Sequence, residues 1–403
     1  MRGGLRRGSS AYDVAVCMAG TVASGSPVFL VGTVAVQMRD SLHFGTGGLG
    51  AAVALYYLGA AASSVLFGHL VERVGGFLTM RAAAIGSAVT LLLTATVVQD
   101  LSDLLPVMVA AGVASAAMQP AANQVLARRV AGTRQGLAFG VKQSAVPLAA
   151  LLAGVAVPAL ALTVGWRWAF AAGAALAVGT AAVIPRSTRT LAERRAERLA
   201  RPPRAVRRGP LVMMAVAFGL GVGAASALAA FLVSSAVASG IDRGDAGLLA
   251  AFGAAAALVS RIVTGSRADR RGRMHFRVVA AMLFVGAVGY AALAVAVGSG
   301  VAWLYVPVVV VVFAAGWGWN GLFNFVLVQT HPDHPARATA ITQTGGRIGG
   351  VVVPFVFGQV ASQVSYSWAW AFCALLAAMA GVVMLLARYH LVAATLKLHA
   401  APS

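Results

Sequence analysis

From Leu211 to Ala238 the chain carries no charged side chain, and this pattern recurs along its whole length: long apolar runs broken by short clusters of arginine, aspartate or glycine. A helical run of about 20 apolar residues spans the hydrocarbon of a bilayer. Open strands are excluded there, because lipid-exposed sheet edges leave backbone groups unpaired. Composition points the same way. The chain is 60% hydrophobic and 10% charged, against roughly 45–50% and about 25% in soluble domains, so no ordinary water-soluble core could hide the apolar surface. The expectation is an all-α membrane protein with helices over 12–37, 47–70, 78–98, 104–127, 136–161 and 167–185, then 211–238, 247–264, 276–298, 302–329, 338–361 and 367–389. These divide into an N-terminal six-helix bundle (1–185), a basic linker (186–210) and a C-terminal six-helix bundle (211–403).

Basic residues outnumber acidic ones 31 to 11. In a soluble chain that excess would suggest nucleic acid. Here the arginines fall in alternate loops, the signature of positive-inside topology, and no nucleic-acid partner is expected. One side collects Arg2, Arg6, Arg7, Arg73, Arg81, Arg128, Arg129, Arg134, Arg337, Arg388 and the clusters in 186–208 and 267–277. The other side has Arg39, Arg167 and Arg243 beside Asp40, Asp100, Asp103, Asp242 and Asp245. The arginine-rich side is read as cytoplasmic, with both termini on it, in the cytoplasmic (inner) membrane. The linker, nine arginines against two glutamates, is either an electrostatic anchor to anionic lipid or a plain tether. Cys17 and Cys373 lie inside apolar runs, which argues against a disulfide or zinc framework. His331 and His334 in HPDHP fit no strong metal spacing, and neither a metal nor a cofactor is expected. No phosphate-binding GxxxxGK[ST] occurs and no nucleophile–base pair stands out, so ATP hydrolysis and enzymatic activity are not indicated.

The two bundles repeat one another. Gly68, Glu72, Arg73 and Gly75, after the second helix, align with Gly265, Asp269, Arg270 and Gly272, after the eighth. VKQSAVPLAALLAG, with Gln143 and Pro147, corresponds to ITQTGGRIGGVVVPFVFG, with Gln343 and Pro354. Duplicated six-helix units with the ligand site between them are a transporter architecture. On these motifs the chain resembles the major facilitator superfamily of secondary transporters over essentially its full length. That family's Gly-x3-Asp-Arg-x-Gly-Arg-Arg/Lys signature is matched best by the second copy, which ends in Arg273; the first has Glu72 as its acid and Gly76 where the signature has arginine. The resemblance implies alternating access, a monomer, and a motif that latches the cytoplasmic side in one state. Glycine permits close helix approach and a tight turn, and the acid suits a neighbouring helix N-terminus.

Ionisable residues inside a membrane mark function by default. Arg347 stands about ten residues into its helix, or about 15 Å deep, where arginine costs at least about 2.5–3.5 kcal/mol. It reads either as a substrate contact or as a structural cation bonded to nearby carbonyls. Arg261, one turn before Gly265, either snorkels or binds an anion; its spacing to the motif resembles facilitators of monocarboxylates and other small anions. Lys142 reads as snorkelling by default, with a site role as the alternative. The only helix-embedded acid, Asp13, opens the first helix at the interface. Three cations without a deep carboxylate favour an anionic small-molecule substrate. The alternative is a proton-coupled drug or metabolite efflux transporter with a mainly hydrophobic cavity. Asn123, Gln124, Gln143, Asn320, Asn324 and Gln343 supply neutral hydrogen-bonding groups, with Asn320, Asn324 and the paired glutamines preferred. Tyr56, Tyr57, Trp317, Trp319 and Phe323 form a potential aromatic wall, and Trp166 and Trp168 an interfacial belt. Moving an anionic charge into a negative interior costs about 2.3 kcal/mol per 100 mV. Uptake would therefore need a co-transported proton, cation or exchanged anion, whereas export would run with the potential.

Overall fold

A computed structural model describes residues 9–130, 138, 140–186, 208–271, 276–299, 302–330 and 335–399, and every regular element among them is helical. The linker at 187–207, the HPDHP histidines, Gly272 and Arg273 lie outside the described residues, as do the side chains of Asp269 and Arg270.

The first span is shorter than its apolar run suggested. α1 (Ser9–Thr33) ends at a bend, and α2 (Ala35–Leu42) closes on His43 in the left-handed region, its N–H bonded to the Arg39 carbonyl. α3 (Thr46–Val74) leaves α2 at 112°. It stops where Gly75 adopts φ 97°, a conformation that only glycine adopts without strain, and α4 (Gly76–Thr96) starts at once. α5 (Leu101–Arg129) is capped by Asp100, whose carboxylate accepts from the Asp103 N–H at 2.9 Å, satisfying an orphan helix donor. Hydrogen bonds from the Ser102 hydroxyl and the Asp103 N–H hold the Asp100 carboxyl below its ordinary range. α6 (Ala145–Ala156) continues into a π turn (Val157–Ala161), and α7 (Trp166–Val183) completes the first half. The second half has α8 (Arg208–Ala238), α9 (Arg243–Arg271), α10 (Phe276–Ser299), α11 (Tyr305–Ala314), α12 (Trp319–Thr330), α13 (Pro335–Gln363) and α14 (Tyr366–His399).

Ten helical stretches among the described residues are long and apolar enough to cross a membrane, or eleven if the bent α2–α3 pair counts as one. α11 and α12 together make one of them, Tyr305–Leu327. α13 has the length but not the apolarity, because Gln343, Arg347 and a run of glycines fall in its centre. Leu92, Val178, Val288, Val295 and Leu375 are exposed on the outside of the bundle, as expected of a surface solvated by acyl chains.

Lipid tails are as apolar as leucine, so helices in a bilayer associate through close packing of small residues. α13 shows the principle. A methyl group on Gly349 would stand 1.9 Å from the Gly219 carbonyl oxygen, and one on Gly345 2.1 Å from that of Ala215, both on α8. Gly345 and Gly349 therefore serve packing within the second half, whereas a methyl on Gly350 would meet the Tyr57 ring of the first half at 2.7 Å. Three main seams join the halves: α3 against α13, α6 against α9, and α1 against α8. The first two are tight at the end remote from the arginine clusters. There a methyl on Gly50 would lie 2.7 Å from the Pro354 carbonyl oxygen, and one on Gly154 2.8 Å from that of Gly247. Arg243 and Asp40 pair across the halves at 2.6 Å at the same end. Exposed pairs of this kind contribute about 0–1 kcal/mol. At the arginine-rich end a methyl on Gly68 or Gly265 would meet nothing within 4 Å among the described residues, so these two glycines bring no described helices together in this conformation. Glu72 and Arg73 are exposed beside them at the end of α3.

Candidate functional site

Halfway along α11–α12 the helix breaks at 315–318, within a stretch that the sequence reads as one helix over 302–329. The Gly318 N–H reaches back five residues to the Phe313 carbonyl at 3.0 Å. A break at membrane depth frees carbonyls that lipid cannot satisfy, so it persists only where protein groups meet them. Here the neighbouring α9 supplies two. The Ser260 hydroxyl donates to the Ala314 carbonyl at 2.6 Å, and Arg261 Nη2 donates to the Trp317 carbonyl at 3.3 Å. The Trp319 indole N–H takes the Gly316 carbonyl at 2.9 Å.

The first half is interrupted at a matching place, before α6. Pro147 has no N–H, so the Gln143 carbonyl lacks its partner one turn on. Arg261 Nη1 donates to that carbonyl at 2.7 Å from across the seam. Arg261 therefore does not snorkel. It is 7% exposed, its charge held by two freed carbonyls and by the Trp317 ring, whose centroid lies 5.7 Å from the guanidinium carbon. Carbonyl ends of helices carry partial negative charge, which explains a buried guanidinium with no carboxylate beside it.

These groups enclose a cavity of about 110 Å³ between the halves. Arg261, Gln143, Asn320, Tyr57 and Ser226 provide its polar groups; Phe29, Trp317, Val146, Val222, Ala225 and Ala229 form the rest of the wall. No carboxylate lines it among the described residues. Ser226 donates to the Tyr57 hydroxyl at 3.1 Å, and Phe29 packs on Trp317 with ring centroids 5.8 Å apart, so both contacts cross the seam. The Arg261 Nε–H is buried and has no acceptor among the described residues. A buried donor left unpaired costs about 1–3 kcal/mol.

The remaining expected residues separate into distinct groups. Lys142 is 1% exposed, contrary to the snorkelling default: it points into the first half, where its ammonium donates to Gln119 Oε1 and, at 3.1 Å, to Asn123 Oδ1. Tyr56 is buried, its hydroxyl donating to Ser115 Oγ at 2.7 Å. Arg347 is half-buried on α13, within electrostatic range of Tyr56, but does not line the cavity. Gln343, also half-buried, stands one turn before it. Asn324 donates to the Asn320 carbonyl at 2.9 Å and to its side-chain oxygen at 3.1 Å, positioning Asn320 rather than facing the cavity itself. The Gln124 amide donates to the Val71 carbonyl at 3.3 Å, joining α5 to α3.

The aromatic wall is split: Trp317 and Tyr57 line the cavity, whereas Trp319 and Phe323 pack on Phe218 in the core of the second half. Trp166 is buried and bonded to Ser41 at 2.8 Å, so of the two belt tryptophans only Trp168, 61% exposed, stands free. Asp13 is likewise buried and pairs with Arg129 at 3.4 Å. The sequence reading missed Phe29, Ser226 and Gln119. One hydroxyl in an alanine-rich helix, or one phenylalanine among many, carries no distinguishing pattern.

A helical chain with membrane-length spans, two halves meeting along several seams and a cavity with polar groups between them defines a multi-pass membrane protein of the transporter class. The family model described as Major Facilitator Superfamily matches residues 17–354, and the chain belongs to that family. A similar fold is found in a bacterial homologue of the human lysosomal transporter Spinster, solved in an inward-facing and unoccupied conformation: TM-score 0.69, 12% sequence identity, and 100% of each chain covered. No functionally curated protein matches the chain significantly.

Proposed function

We propose that this membrane transporter is a secondary transporter that carries a small anionic organic solute by alternating access, with the solute's charged group on Arg261. The observation that carries this reading is Arg261 on the wall of the cavity, beside Gln143, Asn320 and Tyr57 and with no carboxylate among the described lining residues. Asn320, Gln143 and Tyr57 are placed to select the polar remainder of the solute, and Phe29 and Trp317 its apolar body. Arg347 and Lys142 contribute positive potential around the cavity from outside its lining. Twelve crossings with both termini in the cytoplasm follow from the arginine distribution, and the open motif glycines then correspond to a cytoplasm-facing state. Coupling to a proton or counter-ion serves uptake and is unnecessary for export.

Thermal-shift measurements on the purified protein provide the test. Benzoate, acetate and larger monocarboxylates are compared with lipophilic cations such as tetraphenylphosphonium. Stabilisation by carboxylates alone is the expected result. Stabilisation by the cations alone would support the hydrophobic efflux reading, which the apolar part of the wall favours.

A further inference from the structure

The Arg261–Gln143 hydrogen bond joins a side chain of one half to a backbone carbonyl of the other. That carbonyl is available only because Pro147, at the position whose N–H would normally take it, has none to give. Pro147 is buried in the first half and is not itself a lining residue, although its neighbours Val146 and Gln143 are. One guanidinium thus bridges an imperfection in each half, the proline-freed carbonyl and the 315–318 break, while lining the space between them. An anion that takes the guanidinium end-on, through Nη1 and Nη2, competes with the two carbonyls for those nitrogens, and a full negative charge makes the stronger partner.

We propose that Arg261 is a releasable tie between the halves, across the α6–α9 seam, and that an anion entering the cavity draws the guanidinium off the Gln143 carbonyl, so that occupancy loosens that seam. Pro147 is then a positioning residue: it creates the carbonyl that holds Arg261 across the seam when no solute is bound. This deepens the anion reading above and rests on it for the loosening step. The tie itself does not depend on it. The device gives differential interaction with two states, which any ligand-driven conformational shift requires.

Pro147→Ala tests it without touching the cationic site, because alanine restores an N–H within reach of the Gln143 carbonyl. Spin labels at Arg73→Cys and Ser266→Cys, exposed positions on opposite halves at the arginine-rich end, report the separation by pulsed electron resonance. Without ligand, Pro147→Ala is expected to add a second distance population absent from the labelled parent, and to bind benzoate several-fold more tightly. Arg261→Lys, which keeps the charge but cannot span both carbonyls, should change the distances in the same way. Distance distributions unchanged from the parent in both variants would overturn the proposal. A shifted distribution with no benzoate binding in any protein would leave the tie standing and remove the anion reading.

Discussion

Replacing Arg261 by glutamine is expected to weaken carboxylate binding more than any other single substitution in the cavity, by about 2–5 kcal/mol, or roughly 30- to 4,000-fold in Kd. Among the described residues the side chain supplies the only formal charge on the cavity wall. Arg347→Gln should have a smaller effect, since Arg347 acts on the cavity from outside its lining. Isothermal titration of benzoate into the three proteins measures both. Arg261→Gln also strands the Gln143 and Trp317 carbonyls, so unfolding must be followed in parallel; Arg261→Lys separates the two effects, retaining charge while losing the two-carbonyl span. Equal affinities for Arg261→Gln and the parent would remove the anion site from this cavity.

Lys142 gives the second large effect. Among the described residues its ammonium is bonded to two amide oxygens and to no carboxylate. Lys142→Met removes the buried charge but leaves the Gln119 and Asn123 oxygens without their donor, at about 1–3 kcal/mol each. Lys142→Met should therefore lower the unfolding temperature in detergent, and Lys142→Met with Asn123→Leu, which removes charge and acceptor together, should recover part of that loss. Asn123→Leu keeps the charge and removes an acceptor, and should destabilise by about 1–3 kcal/mol. Benzoate binding should survive Lys142→Met, because the lysine faces α5 rather than the cavity. Loss of binding in that variant would return Lys142 to the site.

Lys142 also marks where sequence reading stopped. That it lay in an apolar run was legible; that Gln119 and Asn123, 23 and 19 residues earlier, would reach its ammonium was not, because the angular register between two helices has no local signature. The helical membrane architecture was legible, because apolar runs and arginine clusters report the solvent rather than particular contacts. Arg261 was visible as a cation near the repeated motif. Its depth was hidden, since it depends on carbonyls freed by a proline on one half and a helix break on the other. The break at 315–318 escaped notice because Gly316 and Gly318 belong to an ordinary membrane-helix composition, in which glycine is frequent. Gly68 and Gly265 stand out in the sequence as a repeated pattern, whereas the open space beside them is a property of the conformation adopted.

The most direct test is counterflow of radiolabelled benzoate into proteoliposomes carrying the parent protein or Arg261→Gln, each shown to be folded and inserted. The account predicts saturable counterflow for the parent and none above empty liposomes for the variant. Equal saturable flux in both would contradict it, as would flux of tetraphenylphosphonium in place of the carboxylate.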